Sequence, residues 1–271
     1  MLMSVYSREQ APFLRTSMES MFTQTVPPKE FVLVCDGLLT PELDGVIEEE
    51  EVLHPGVLRV VRLEQNVGLG AALNQGLQAC TCSLVARMDS DDISRPDRCR
   101  RQLDVFREKP DLSICGGLIE EFVSDPSVVE SVRAVPETAE EIREFAKKRN
   151  PFNHMTVMYR KQDIDAAGGY QSFHLLEDYY LWIRLLNRGG KGYNIQRPLV
   201  WARTGVGMFA RRGGWKYVKS QAALFRYMRD IGMISRASYA RSIAVRCAAG
   251  LVPGWLRQVL FMRFNRKAGN R

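Results

Sequence analysis

The sequence predicts an α/β fold built on a parallel, doubly wound sheet. Short apolar runs such as FVLVC (31–35) and LVARM (84–88) have strand length. Helix-period segments with start and stop signals lie between them, giving a βαβα rhythm. The 271 residues are 45% hydrophobic and 25% charged. That suits one large domain, alone or with an appendage, and excludes wholesale disorder, collagen and a disulfide miniprotein.

The elements follow in order. Met3–Tyr6 reads as a short strand. A helix comes next, with Pro12 in its first turn and Leu14, Met18, Met21 and Phe22 on one face. FVLVC is a buried strand. Pro41–Glu51 reads as a short helix whose Glu48–Glu51 run forms a solvated face. VLRVVRL (57–63) is the third strand, and Gly68–Ala79 a helix after a glycine-bearing turn. LVARM ends abruptly in acids. Ser94 and Pro96 predict an N-cap and first turn for a helix to about Glu108. Residues 112–135 read as a strand pair, and 137–149 as a helix whose acidic start and basic end match its dipole. MTVMYR (155–160) is a strand, and Asp178–Asn187 an amphipathic helix stopped by Gly189-Gly190. The tail reads as mostly helical, broken at Pro253.

Charge divides the chain. Residues 203–271 hold 15 Lys and Arg against one acid, Asp230, or +14; residues 1–202 carry −7. A strongly basic tail on a mildly acidic body implies an anionic partner: nucleic acid, anionic lipid or a pyrophosphate-bearing substrate. The six cysteines lie scattered without a CxxC pair, so buried free thiols in a reducing cytoplasm are expected, not a zinc site or disulfide frame. No apolar run reaches the ~18–20 residues of a bilayer span, and MLMSVYSREQ does not read as a signal peptide.

In a doubly wound sheet ligands sit beyond the carboxyl ends of the strands. That rule selects the segments after Tyr6, Cys35 and Met88. Asp89-Ser90-Asp91-Asp92 puts three carboxylates in four residues after an apolar strand. They repel one another and call for a cation. Hard oxygen ligands suit Mg²⁺ or Mn²⁺, which bind through one or two carboxylates plus substrate phosphates; an acidic turn capping the next helix is the plainer explanation. Glu177-Asp178 opens a helix, where an acidic pair serves the dipole and N-cap; the functional alternative is a general base with its partner. Asn66-Val67-Gly68-Leu69-Gly70, with Asn74 on the following helix, is a tight turn or a place where backbone approaches a ligand. It lacks the third glycine of a dinucleotide fingerprint. Asp36-Gly37 is a turn or an acceptor for a nucleobase N–H.

Taken jointly, Asp36 at a strand end, N-x-G at 66–68, Asp89-x-Asp91-Asp92, and Glu177-Asp178 followed by YYLWIRL resemble the family 2 inverting glycosyltransferases of GT-A fold. The likeness covers most of residues 1–203. MSVY, QTxxP (24–28), LVCDG, ARMDSDDISRP, NPFNHMTVMYRK and GMFARRGG resemble more closely the bacterial subgroup that adds galactose or glucose, often β-1,3, in O-antigen, capsule and exopolysaccharide (amylovoran-type) assembly. The very short N-terminal lead and Cys35 depart from that pattern.

The resemblance implies a GT-A domain, a Rossmann-like, mostly parallel sheet flanked by helices, over 1–203, and a basic, acceptor- and membrane-associating helical extension over 204–271. It implies that Asp36 accepts from the uracil of a UDP-hexose, with Tyr6 or Ser7 lining the pocket and Asn66, Gly68, Asn74 and Arg87 shaping the donor site. Asp91 becomes the direct ligand of Mn²⁺ or Mg²⁺, Asp89 lies nearer the ribose with a share in the metal, and Asp92 lies nearer the donor sugar. Asp178 becomes the general base and Glu177 its partner. The acceptor implied is a lipid-diphosphate-linked sugar, GlcNAc- or GalNAc-diphosphate-undecaprenol, at the inner face of the bacterial plasma membrane.

Other features stay open. His154 is a structural hydrogen-bonder or lies near the acceptor or diphosphate. Trp182 reads as core; Tyr179 and Tyr180 either pack or stack on a sugar. Arg203, Arg211, Arg212 and Lys216 among glycines form a lid over a pyrophosphate or a solvated basic loop. Basic and apolar residues interleaved over 241–267 read as an interfacial helix, or as a tail packed on the body with its basic face in water. A nucleic-acid module is disfavoured, since the tail lacks zinc-finger, basic-zipper and single-strand aromatic signatures. A nucleotidyltransferase using the acidic cluster is weakened by the missing P-loop lysine string.

Overall fold

A computed structural model of the chain describes residues 1–204, 214–251 and 267–268. β1 (Leu2–Val5), α1 (Ala11–Phe22), β2 (Phe31–Cys35), α2 (Pro41–Leu53), β3 (Leu58–Arg62), α3 (Leu69–Ala79) and β4 (Leu84–Asp89) give the expected alternation. Thr40 caps α2 through its hydroxyl, ahead of Pro41 in the first turn. The strands lie in the order β4-β1-β2-β3, all parallel, with Leu2 opposite both Val32 and Arg87.

The sheet changes character after β4. β5 (Ile93–Ser94), α4 (Arg98–Glu108), β6 (Leu112–Phe122), β7 (Ser131–Arg133) and α5 (Ala139–Ala146) follow. A 3₁₀ turn (His154–Thr156), β8 (Met158–Arg160), α6 (Lys161–Ala166), α7 (Glu177–Asn187) and β9 (Lys191–Arg203) complete this part. β8 joins β4 to β6 antiparallel to both, and β7 continues along the same edge of β6. β9 runs parallel to β6 along its other edge and antiparallel to β5. The mostly parallel expectation therefore holds for β1–β4, and the whole sheet is mixed. Beyond it lie α8 (Gly214–Asp230), α9 (Arg236–Leu251) and β10 (Lys267–Ala268), the last paired with β7.

Three local expectations change. Ser94 does not cap α4: it pairs with Val200 of β9, and the helix starts at Arg98 with no side-chain cap on Asp97. The strand expected from 155 begins at Met158, because His154–Thr156 winds into the 3₁₀ turn. β9 has no counterpart in the sequence reading. Its charged ends and Pro198, which donates no ladder hydrogen bond, break the strand signature; Pro198 sits where the pairing with β6 shifts register.

Alternation along the strands splits the core in two. Leu2, Val32, Val34 and Val85 face a cluster completed by Leu73 of α3, Trp182 of α7 and Leu224, Phe225 and Met228 of α8. Met3, Leu33, Cys35 and Met88 face the other, with Leu14, Met18, Leu43, Ile47 and Phe106 from α1, α2 and α4. Helices from beyond residue 204 thus close the same core as the sheet. Cys35, Cys80, Cys82, Cys99 and Cys115 are free thiols. No helix among the described residues is long and apolar enough to cross a membrane.

Candidate active site

Parallel pairing brings the carboxyl ends of β1 to β4 to one edge of the sheet. The segments carrying Tyr6 and Ser7, Asp36, Asn66 to Gly68, and Asp89 to Asp92 all start there.

Asp36 is buried and organises its neighbour. Its carboxylate accepts from the backbone N–H of Val67 at 2.7 Å and of Gly68 at 3.1 Å, and from Asn66 Nδ2 at 3.1 Å. A Cβ on Gly37 would stand 2.7 Å from the Asn66 nitrogen, and Gly37 and Gly68 both hold positive φ. Only glycine fits the close approach at 37. Tyr6 and Ser7 are exposed beside this loop, and Asn74 lies under the Gly168-Gly169 turn, where a Cβ on Gly169 would meet its Oδ1 at 2.3 Å.

The acidic turn is braced from several sides. Ser17 donates to the Asp89 carbonyl at 2.7 Å, and Ser90 donates to Glu9 at 2.6 Å. Arg87, fully buried, is ion-paired with Asp89. Asp92 is buried and accepts from the Arg203 backbone N–H at 2.7 Å, while Arg203 Nε donates to the Asp91 carbonyl at 3.1 Å. The Arg203 guanidinium lies 3.8 Å from the Phe13 ring centre and 4.6 Å from that of Phe122. It braces the turn through these contacts. Arg211 and Arg212 lie outside the described residues.

Burial raises the Asp91 carboxyl to about 7, helped by the charges of Asp89 and Glu9. Burial, then Asp91 and Asp89, raises Asp92 well above the carboxylate range. No three His, Cys, Asp or Glu side chains among the described residues form a ready-made metal cage. Even so, crowded, desolvated hard oxygens fit a divalent ion that takes its remaining ligands from a diphosphate.

The base candidate sits on α7. The residue at its N-cap is Leu176, so Glu177 and Asp178 occupy the first turn, where the helix dipole favours anions. Asn150 Nδ2 donates to Asp178 Oδ2 at 2.6 Å, and the Tyr179 N–H donates to Oδ1 at 2.7 Å. Burial raises the Glu177 carboxyl and the Asp178 charge adds to it. Trp182 and Tyr179 are core residues, and Tyr180 packs against Phe173 and Tyr227. His154 Nε2 is 3.0 Å from the Tyr170 hydroxyl, beside Trp182. Burial, then Arg87, lowers its pKa well below the usual value, leaving a neutral imidazole.

Tyr170 is buried beside His154 and Trp182, and that burial raises its hydroxyl pKa. The sequence reading missed it, as a lone tyrosine after two glycines carries no signal. Glu9 and Asn150 were also missed; Glu9 falls just beyond the first strand, one of the places the sheet rule selects.

The parallel β1–β4 half-sheet with an aspartate-rich turn at its carboxyl edge, joined to a mixed second half, has the GT-A fold of group-transfer enzymes. The match to the family model described as glycosyl transferase family 2 spans residues 1–166, and the chain belongs to that family; it is a glycosyltransferase. It is 36% identical over 263 residues to the amylovoran biosynthesis glycosyltransferase AmsE of Erwinia amylovora, covering 96% of each chain. It is 35% identical over 267 residues to the UDP-Gal:alpha-D-GlcNAc-diphosphoundecaprenol beta-1,3-galactosyltransferase of Escherichia coli, covering 98% of this chain and 96% of that one. Among solved structures, the mannosyltransferase PcManGT of Pyrobaculum calidifontis, in complex with GDP-Man and Mn²⁺, superposes with TM-score 0.64 at 15% identity, covering 97% of this chain and 79% of that one.

Proposed function

We propose that this protein is an inverting hexosyltransferase that moves galactose or glucose, in β-1,3 linkage, from a UDP-sugar to GlcNAc- or GalNAc-diphosphate-undecaprenol in bacterial surface polysaccharide assembly. The observation that carries the reading is the packing of Glu177 against Gly70, which sets the first turn of the helix bearing Asp178 against the helix that follows the loop held by Asp36. The relatives' names supply the donor and acceptor classes.

Asp36 and the loop it holds receive the uracil, and Asp89 the ribose. Asp91 is the ligand we assign to Mn²⁺ or Mg²⁺, with Asp89 beside it and Asp92 toward the donor sugar. The ion, when bound, offsets the charge of the diphosphate leaving group. Asp178, aimed by Asn150, takes the proton from the acceptor hydroxyl as that oxygen attacks the anomeric carbon from the face opposite the leaving group; inversion follows from that geometry. Glu177 borders the acceptor side of the same turn.

The basic extension is the surface we assign to the anionic inner face of the membrane. Trp215, 68% exposed, stands on α8 beside Lys216 and Lys219, and the apolar face of that helix is already spent on the core. In α9, Arg246 turns inward to the Lys148 carbonyl and Ile243 packs on the core, so this helix is docked on the body. Residues 252–266, the rest of the interfacial segment, lie outside the described residues. The deciding experiment is a panel of UDP-sugars assayed against synthetic GlcNAc- and GalNAc-diphosphate lipids, with the product linkage read by NMR. Absence of hexose transfer from every UDP-sugar overturns the proposal.

A further inference from the structure

Two arginines lie fully buried around β4, and their surroundings differ. Arg98 is held by neutral groups: it donates to the Arg87 carbonyl at 2.6 Å, the Val157 carbonyl at 3.3 Å and Gln102 at 3.1 Å. It ties α4 to the sheet. Arg87 has no such set. Its Nη1 pairs with Asp89, while Nε and Nη2 have no hydrogen-bond partner among the described residues. A buried guanidinium with two unmatched nitrogens costs more than a solvated one and leans on its one carboxylate. Arg87 and Asp89 are two apart on one strand, so both side chains emerge on the same face, and that face also carries Trp182 and Tyr170.

We infer that Arg87 is a positioning residue that commits Asp89 to the nucleoside and leaves the divalent ion to Asp91. The inference rests on the donor-site reading above and deepens it. Asp89 Oδ1 is taken by the guanidinium, which fixes the rotamer of the carboxylate and limits the oxygen it offers elsewhere. A cation lodged against Asp89 also repels a second cation there, whereas the nucleoside hydroxyls meet a carboxylate already aimed. Arg87 is wholly covered, so it acts through Asp89 and not by touching substrate.

The test measures two affinities on the full-length protein: UDP in EDTA by calorimetry, and Mn²⁺ alone by the EPR signal of the free ion. In Arg87→Met, UDP binding should weaken by roughly tenfold or more, as for loss of other outer partners of a binding carboxylate. Mn²⁺ binding should be unchanged or tighter. Arg87→Lys, which keeps the charge without the fork, should recover part of the UDP affinity. Asp89→Asn and the Asp89→Asn/Arg87→Met double variant should bind UDP equally, since Arg87 works through Asp89. Equal loss of both ligands in Arg87→Met makes the arginine merely structural and overturns the inference, as does unchanged UDP binding. If the methionine variant does not fold, Arg87→Lys decides: weaker UDP with unchanged Mn²⁺ supports the inference, and any other pattern overturns it. A wild-type protein that binds no UDP would instead remove the donor-site reading.

Discussion

The side chain of Glu177 occupies the space that a side chain at Gly70 would need: a Cβ there would lie 2.8 Å from Glu177 Cγ and 3.2 Å from the Gln171 carbonyl oxygen. The helix that follows the Asn66–Gly68 loop and the helix that carries Asp178 therefore touch at their first turns. Gly70→Ala gains about 1 kcal/mol of helix propensity. Overpacking opposes it by about 1–3 kcal/mol. The two terms largely offset in stability, but only the second moves Glu177. Gly70→Ala should hold Tm within a few degrees while kcat falls; calorimetry and a UDP-release assay test this, and full turnover would show that the contact is idle.

Asp178→Asn should lower kcat by roughly 10²–10⁴-fold and leave UDP affinity intact. Turnover near wild type would exclude Asp178 as the base.

Asn150→Ala removes the 2.6 Å hydrogen bond to Asp178 Oδ2. Without that donor the carboxylate is free to turn away from the direction it now holds, so kcat should fall more than KM changes. Unchanged kcat in a UDP-release assay would show that Asn150 does not orient Asp178.

The acidic turn should make the metal-free protein sensitive to rising pH. Asp91 is raised to about 7 in the folded state and Asp92 is raised as well. The folded protein then binds more protons than the unfolded chain, so stability falls as pH climbs from about 4, where unfolded carboxyls titrate, through 7. Mn²⁺ should restore it most at the alkaline end, and binding near pH 7 should release protons, seen as a calorimetric heat that scales with buffer ionisation enthalpy. A thermal shift by Mn²⁺ that is equal at pH 5 and pH 8 would contradict this.

His154 behaves oppositely. Its folded pKa is lowered, chiefly by burial. The unfolded chain takes up the proton first as pH falls below about 6.5, and stability is lost through that window. His154→Gln should remove this loss, so that the variant's stability relative to wild type improves as pH falls from 7 to 5 in urea titrations. Parallel curves would mean that the imidazole does not titrate out of the fold.

The sequence by itself determined the α/β alternation of the first half, the strands FVLVC and LVARM, and the chemical character of Asp36, Asp89 to Asp92 and Glu177-Asp178. These are local properties: apolar period, turn residues and repelling carboxylates within four positions of one another. Only the tertiary structure decided the rest. β9 forms because β6 offers it a long parallel edge, which overrides Pro198 and its own polar pattern. Ser94 enters a strand pair instead of a cap because β9 lies beside it. Asn150 meets Asp178, and Glu177 meets Gly70, through contacts that no local period encodes. Side-chain type and spacing fix which groups are available; the packing of distant elements fixes their neighbours, and neighbours set charge state and orientation.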